Sequence, residues 1–265
     1  MGLLKESHAL SWFFGPLGQP RNEKTAPPHE EAGTPDRAFD IADAMEKGLA
    51  RELVSDFTQP LRDVNGLWRF ELGRSADKRE YRLHCARGEF LMLARVAAGN
   101  RRVDFFLYDS REGDPGAPAF AMTCDAARTR WRLVQERCDC RRSRFSSCDC
   151  CKRPVMDVVH SRHGVGSGVS HCLDVVLYRN GDVEESRLVS QLPVWNEEVQ
   201  SMVLDFPGRQ VLPSAKNLQL ASEDDPERLV CQFAKLGPDS FGLDFKCPLT
   251  VAEAFGAALT TIFWV

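Results

Sequence analysis

The residues with the most chemical potential crowd into one stretch. Between Arg128 and Arg153 stand nine basic residues (Arg128, Arg130, Arg132, Arg137, Arg141, Arg142, Arg144, Lys152 and Arg153) against three acidic ones, in a chain whose net charge is -4. Such a patch can attract anionic lipid at about 1 kcal/mol per basic residue near the surface, or it can be a solvated loop. Inside it lie Cys138-Asp139-Cys140 and Cys148-Asp149-Cys150-Cys151. Thiolates at this spacing can wrap a soft metal ion, although the pattern is not the C-x2-C pair of zinc ribbons. Cysteines beside basic residues also suit S-palmitoylation, and an unmodified loop insertion fits the same residues.

Other candidates are weaker in chemistry. His160, His163 and His171-Cys172 have the groups to complete a metal site or a Cys/His dyad, but nothing in their spacing places them beside the cysteines. Gly164, Gly166 and Gly168 alternate without the Lys-Ser/Thr of a phosphate loop and read as a hairpin. There are no paired carboxylates and no nucleophile elbow, so neither an enzyme nor a cofactor is expected. Trp195 is expected to pack and Asn217 to hold backbone.

The elements that must carry these residues follow from periodicity. Tyr81, Leu83 and Cys85 alternate with polar neighbours, as do Phe105 and Leu107, then Leu173, Val175 and Leu177, then Met202, Leu204 and Phe206. Turn signals separate the runs: Gly73, Gly88, Gly99-Asn100, Gly113 to Pro118, Pro207-Gly208 and Gly237-Pro238-Asp239. About a dozen short strands result, the pattern of an all-β sandwich or barrel. The segment from Val251 to Trp264 instead holds good helix formers, apolar on every side with Glu253 its one charge. A helix apolar all round is buried all round, and at 1.5 Å per residue it is too short for a bilayer. Strands wrapped around this helix account for both patterns.

Ahead of the strands, residues 1–35 contain five prolines and a polar run, a composition that predicts a flexible tail. Trp12, Phe13 and Phe14 stand in it. A leading helix is predicted over 36–59, with Ile41, Met45, Leu49 and Leu53 in one stripe and Pro60 as its stop. Strands should occupy 67–247 and the central helix 250–264, all within one domain over 36–265.

Composition excludes several classes. The chain has 265 residues, 43% hydrophobic and 27% charged, which rules out wholesale disorder. No run of 18 apolar residues exists, and neither a signal peptide nor a myristoylation site is expected at the start, where Glu6 interrupts. Ten cysteines without a signal read as reduced thiols of the cytosol or nucleus. A net charge of -4 gives no general attraction to nucleic acid, so none is predicted as a partner.

Three segments resemble a known family. Pro193-Val194-Trp195-Asn196, then Phe206-x-Gly208-Arg209, then Ser214-Ala215-Lys216-Asn217-Leu218-Gln219 are similar to the PVWN segment, FxGR turn and ASVKNFQ strand of the tubby carboxy-terminal domain. The similarity continues through Asp225-Pro226, Gln232-Phe233, Leu243-Asp244-Phe245 and Pro248-Leu249 into the final helix. It implies a closed antiparallel barrel of about twelve strands threaded by the hydrophobic C-terminal α-helix. It also implies a non-enzymatic, monomeric adaptor that binds phosphoinositide headgroups at the cytosolic membrane face. Such an adaptor would act on membrane-protein cargo or as a membrane-released nuclear factor. The alternative is a soluble protein-interaction or nuclear-regulatory barrel without lipid binding.

The family's basic run after its early strand is reduced here to Arg95, with Arg101 and Arg102 following. Its next arginine falls near Asp125, where Arg128 and Arg130 stand. These five arginines are the expected headgroup donors.

Overall fold

The computed structural model describes residues 54, 56–61, 65–137, 151–165, 168–180, 183–198 and 200–264. The predicted tail and most of the predicted leading helix lie outside them, as do Cys138, Cys140, Cys148 and Cys150. What is described of the leading segment is a 3-10 turn at Asp56–Thr58, with Val54, Phe57 and Leu61 buried in the core.

Twelve strands close into an antiparallel barrel. Around its wall run β1 (Trp68–Arg74), β2 (Glu80–Cys85), β3 (Phe90–Val96), β4 (Arg102–Phe106), β5 (Phe120–Cys124) and β6 (Arg130–Gln135), each paired with the next. Then come β7 (Arg153–Val165), β8 (Gly168–Asn180) and β9 (Val183–Ser190). β10 (Val194–Asn196) and β11 (Ser201–Val203) form a separate two-stranded sheet. β12 (Leu218–Ser222) pairs with β9, and β13 (Leu229–Lys235) and β14 (Ser240–Phe245) follow until β14 meets β1. Closure leaves no barrel edge exposed.

The alternation read from the sequence is the alternation of the wall. Tyr81, Leu83 and Cys85 are buried while Arg82 and His84 are only partly so, and Leu173, Val175 and Leu177 face the core. Met202, Leu204 and Phe206 depart from expectation. They do not form a barrel strand: β11 ends at Val203, and the chain then runs without regular structure to β12. Phe206 alone of the three is buried. Trp195, expected to pack, is 49% exposed, because β10 lies in the outer sheet and not in the wall.

The helix α1 (Val251–Phe263) fills the barrel. Thr250 caps it: its hydroxyl accepts from the Glu253 N–H at 3.2 Å, and the Glu253 carboxylate accepts from the Thr250 N–H at 2.9 Å. Every α1 residue except Ile262 is buried, including Glu253. Arg179 answers that charge with a guanidinium fork, its Nη2 3.0 Å from Glu253 Oε2 and its Nη1 donating to Oε1. Burial pushes the Glu253 carboxyl up, while Arg179 and Thr250 pull it back. Gly256 permits the close approach of the wall, since a Cβ there would stand 3.1 Å from Met156 Cε.

Candidate functional site

Antiparallel connectivity sorts the turns to the two ends of the barrel. One end collects the β1–β2 turn (75–79), the β3–β4 turn (97–101), the β5–β6 turn (125–129), the β7–β8 hairpin and the β13–β14 turn (236–239). Hydrogen bonds tie neighbouring turns together there. Val96 N–H donates to the Arg79 carbonyl at 2.8 Å, Arg128 Nη2 to the Gly99 carbonyl at 3.4 Å, and His160 N–H to the Thr129 carbonyl at 2.7 Å.

This end is basic. Lys78 and Arg79 lie on the first turn, Arg101 on the second, Arg128 on the third, and Arg130 opens β6. The acids beside them are already engaged. Asp77 accepts from the Ser75 hydroxyl and the Arg79 N–H, Asp125 from Thr129, and Asp239 from Arg74. The opposite end instead carries Glu112, Asp114, Glu223, Asp224, Asp225 and Glu227 on its turns. The local potential therefore differs in sign from the net charge of -4.

The five expected arginines divide into two groups. Arg101, Arg128 and Arg130 gather on adjoining turns of the basic end. Arg128 adopts a left-handed φ of 57° that turns the chain into β6, and Arg130 lines a shallow cleft of about 350 Å³ with Cys124 and Trp131. Arg95 and Arg102 sit on the outer wall beside carboxylates. Arg95 Nη2 is 3.2 Å from Glu80 Oε1, with its guanidinium over the Phe106 ring at 5.5 Å. Arg102 Nε donates to Asp104 Oδ1 at 2.8 Å, and Glu136 lies 3.8 Å away. Spacing along the chain could not separate these groups, since Arg101 and Arg102 are adjacent. Lys78 and Arg79 were missed for the reverse reason, being far from the others in sequence.

Two of the candidate histidines meet at the same end. His160 on β7 and His171 on β8 both pack on Trp264, with ring centroids 4.5 and 4.0 Å away. His160 is buried with both ring nitrogens unpartnered, and its pKa falls to about 4, mainly by burial, with His171 and Lys216 adding to the effect. Lys216 Nζ donates to the Trp264 carbonyl at 2.7 Å and so holds the end of α1. His163 stands apart and exposed, and Cys172 is buried. Among the described residues no group of three or more His, Cys, Asp or Glu converges on a metal position. Cys151, the one described member of the cysteine cluster, is a part-buried thiol.

The FxGR and KN residues hold the outer segment to the wall. Arg209 donates to Asp244 and to the Phe70 carbonyl, while Asn217 bridges the Leu212 carbonyl and the Lys235 N–H, both at 2.9 Å. These contacts explain the motif that carries the resemblance. The model of the Tub family matches residues 138–262. This chain belongs to the tubby-like family. Tubby protein homolog 1 of Caenorhabditis elegans is 41% identical over 85 residues, covering 32% of this chain and 20% of that protein. Protein king tubby of Anopheles gambiae is 45% identical over 74 residues, covering 28% and 17%. The tubby-like match thus spans about a fifth of the length of the curated relatives. A solved protein from Arabidopsis thaliana has a TM-score of 0.37 at 13% identity over 74% of this chain and 89% of that one, a likeness that carries no argument.

Proposed function

We propose that this tubby-like barrel is a phosphoinositide-binding adaptor that docks on anionic membranes by its basic end. The carrying observation is the gathering of Arg101, Arg128 and Arg130 on adjoining turns whose acids are already hydrogen-bonded. A phosphorylated headgroup needs several donors converging from fixed positions, and the planar arginine fork meets phosphate oxygens two at a time. Turns of a closed barrel supply such fixed positions. The tubby resemblance points to the same ligand class and to work in membrane-protein trafficking.

Arg95 and Arg102 contribute less in this reading, because Glu80 and Asp104 compete with any phosphate for them. Affinity is accordingly modest, micromolar or weaker, and falls as salt rises. Co-sedimentation across a phosphoinositide liposome panel tests the proposal. Wild type should bind, and Arg101→Ala/Arg128→Ala/Arg130→Ala should lose most of the binding. Equal binding by the two refutes the assigned site.

A second reading, a soluble protein-interaction barrel, is favoured by one observation. The outer sheet leaves Val194 71% and Trp195 49% exposed, an apolar pair open to a protein partner. Failure of the wild type to bind any liposome at low salt selects this reading.

A further inference from the structure

The β7–β8 hairpin is longer than the wall it belongs to. β6 pairs with β7 only as far as Val159, and β9 pairs with β8 only from Asp174. Beyond them five further residue pairs continue, from Ser161 with Cys172 to Val165 with Gly168, and no barrel strand flanks them on either side. Five pairs at 3.4 Å each reach about 15 Å past the barrel wall. This reach points out of the basic end, beyond the turns that hold Arg101 and Arg128.

The side chains grade along it. At the root, His160 and His171 pack on Trp264, which anchors the finger to the end of α1. Farther out Arg162 and His163 are exposed. Beyond them Val169 is 53% exposed and Val165 partly so. Apolar side chains at the far end of an exposed ribbon lose hydration free energy only if something apolar receives them. The basic turns behind the ribbon select what that is: an anionic surface with an apolar interior, which is a lipid bilayer. The headgroup layer is roughly 6 Å deep, well within the reach of the ribbon.

We infer that the free end of the β7–β8 hairpin inserts into the bilayer, with Val165 and Val169 below the headgroups and Arg162 and His163 at phosphate level. The inference rests on the proposed docking of the basic end. It adds to that docking a salt-insensitive apolar contribution and fixes the orientation, with the helix C-terminus toward the lipid.

The test uses the full chain, phosphatidylcholine vesicles containing phosphatidylserine and a phosphatidylinositol bisphosphate, and monolayers of the same composition. Wild type should bind the vesicles and raise the monolayer surface pressure. Val165→Ser/Val169→Asp should weaken vesicle partitioning about tenfold and abolish the pressure rise, roughly the loss of one valine's burial. The salt dependence should stay that of wild type, because no basic residue is touched. Val169→Trp should strengthen partitioning and insertion, a gain that no folding defect can mimic. Arg101→Ala/Arg128→Ala/Arg130→Ala should instead flatten the salt dependence. If wild type binds vesicles but the valine variants bind and insert as it does, the hairpin inference is overturned while the docking stands. If wild type binds no vesicle at low salt, both fall.

Discussion

Arg209 grips Asp244 through two parallel hydrogen bonds, Nη2 to Oδ1 at 2.6 Å and Nε to Oδ2 at 3.0 Å. Asp244 is almost wholly buried in β14 and also accepts from Gln232 Nε2 at 2.8 Å, so the turn carrying Arg209 is fastened to the wall by a shielded ion pair. Removing one partner strands the other charge, which typically costs about 3–5 kcal/mol. Arg209→Met should therefore lower unfolding free energy by about that much in urea titration. Adding Asp244→Asn to it should recover a large part, because the stranded carboxylate is then gone.

The interior depends on α1. Phe255 is fully buried and meets Phe105 edge to face at 5.5 Å. Phe255→Ala should cost about 3–5 kcal/mol, through lost burial and the cavity left behind. Gly256→Leu should also destabilise, since even a Cβ there presses on Met156, and overpacking costs about 1–3 kcal/mol. Calorimetric melting of the two variants checks both values.

Acid should loosen the end of α1 through His160. Its pKa is about 4 in the fold against 6.5 for the free side chain. The fold thus favours the neutral ring. Its contribution is fully present above about pH 6.5 and is lost as pH falls from there through 4, by up to about 3 kcal/mol. His171 and Lys216 face the ring and oppose its protonation, while Asp125 is the acid that favours it. His160→Phe should remove this part of the acid limb and, by ending two unpartnered buried nitrogens, raise stability at neutral pH. Melting temperatures measured from pH 7 to pH 4 for the two proteins decide it.

Glu80 should restrain lipid binding. It accepts from Arg95 at 3.2 Å and from Arg82 at 2.7 Å, so Glu80→Gln leaves Arg95 with one fewer competing charge. Vesicle affinity should rise severalfold at low salt and converge on wild type at high salt, as screening removes the difference. An unchanged affinity at low salt would mean that Arg95 takes no part in binding.

Local pattern determined much of this protein. Period-two alternation set the strands, because a wall with one face buried must place Tyr81, Leu83 and Cys85 inward and their neighbours outward. Apolarity on every side of Val251 to Phe263 set the central helix, since such a helix has no face to give to water. The FxGR and KN residues pointed to the family, their side chains being committed to the backbone of neighbouring strands.

Barrel closure decided the rest. It placed Arg101 on a turn at the basic end and the adjacent Arg102 on the wall against Asp104, because successive strand residues face different surroundings. It brought Lys78 and Arg79 to the turns of Arg101 and Arg128, across chain distances that spacing cannot report. It moved Met202 and Trp195 out of the wall into the small outer sheet, although their alternation is that of any strand. It also paired Glu253 with Arg179, 74 residues away, and so made a charge tolerable inside the barrel. A period tells which face of a strand is buried. Which charges share an end depends on how the strands close.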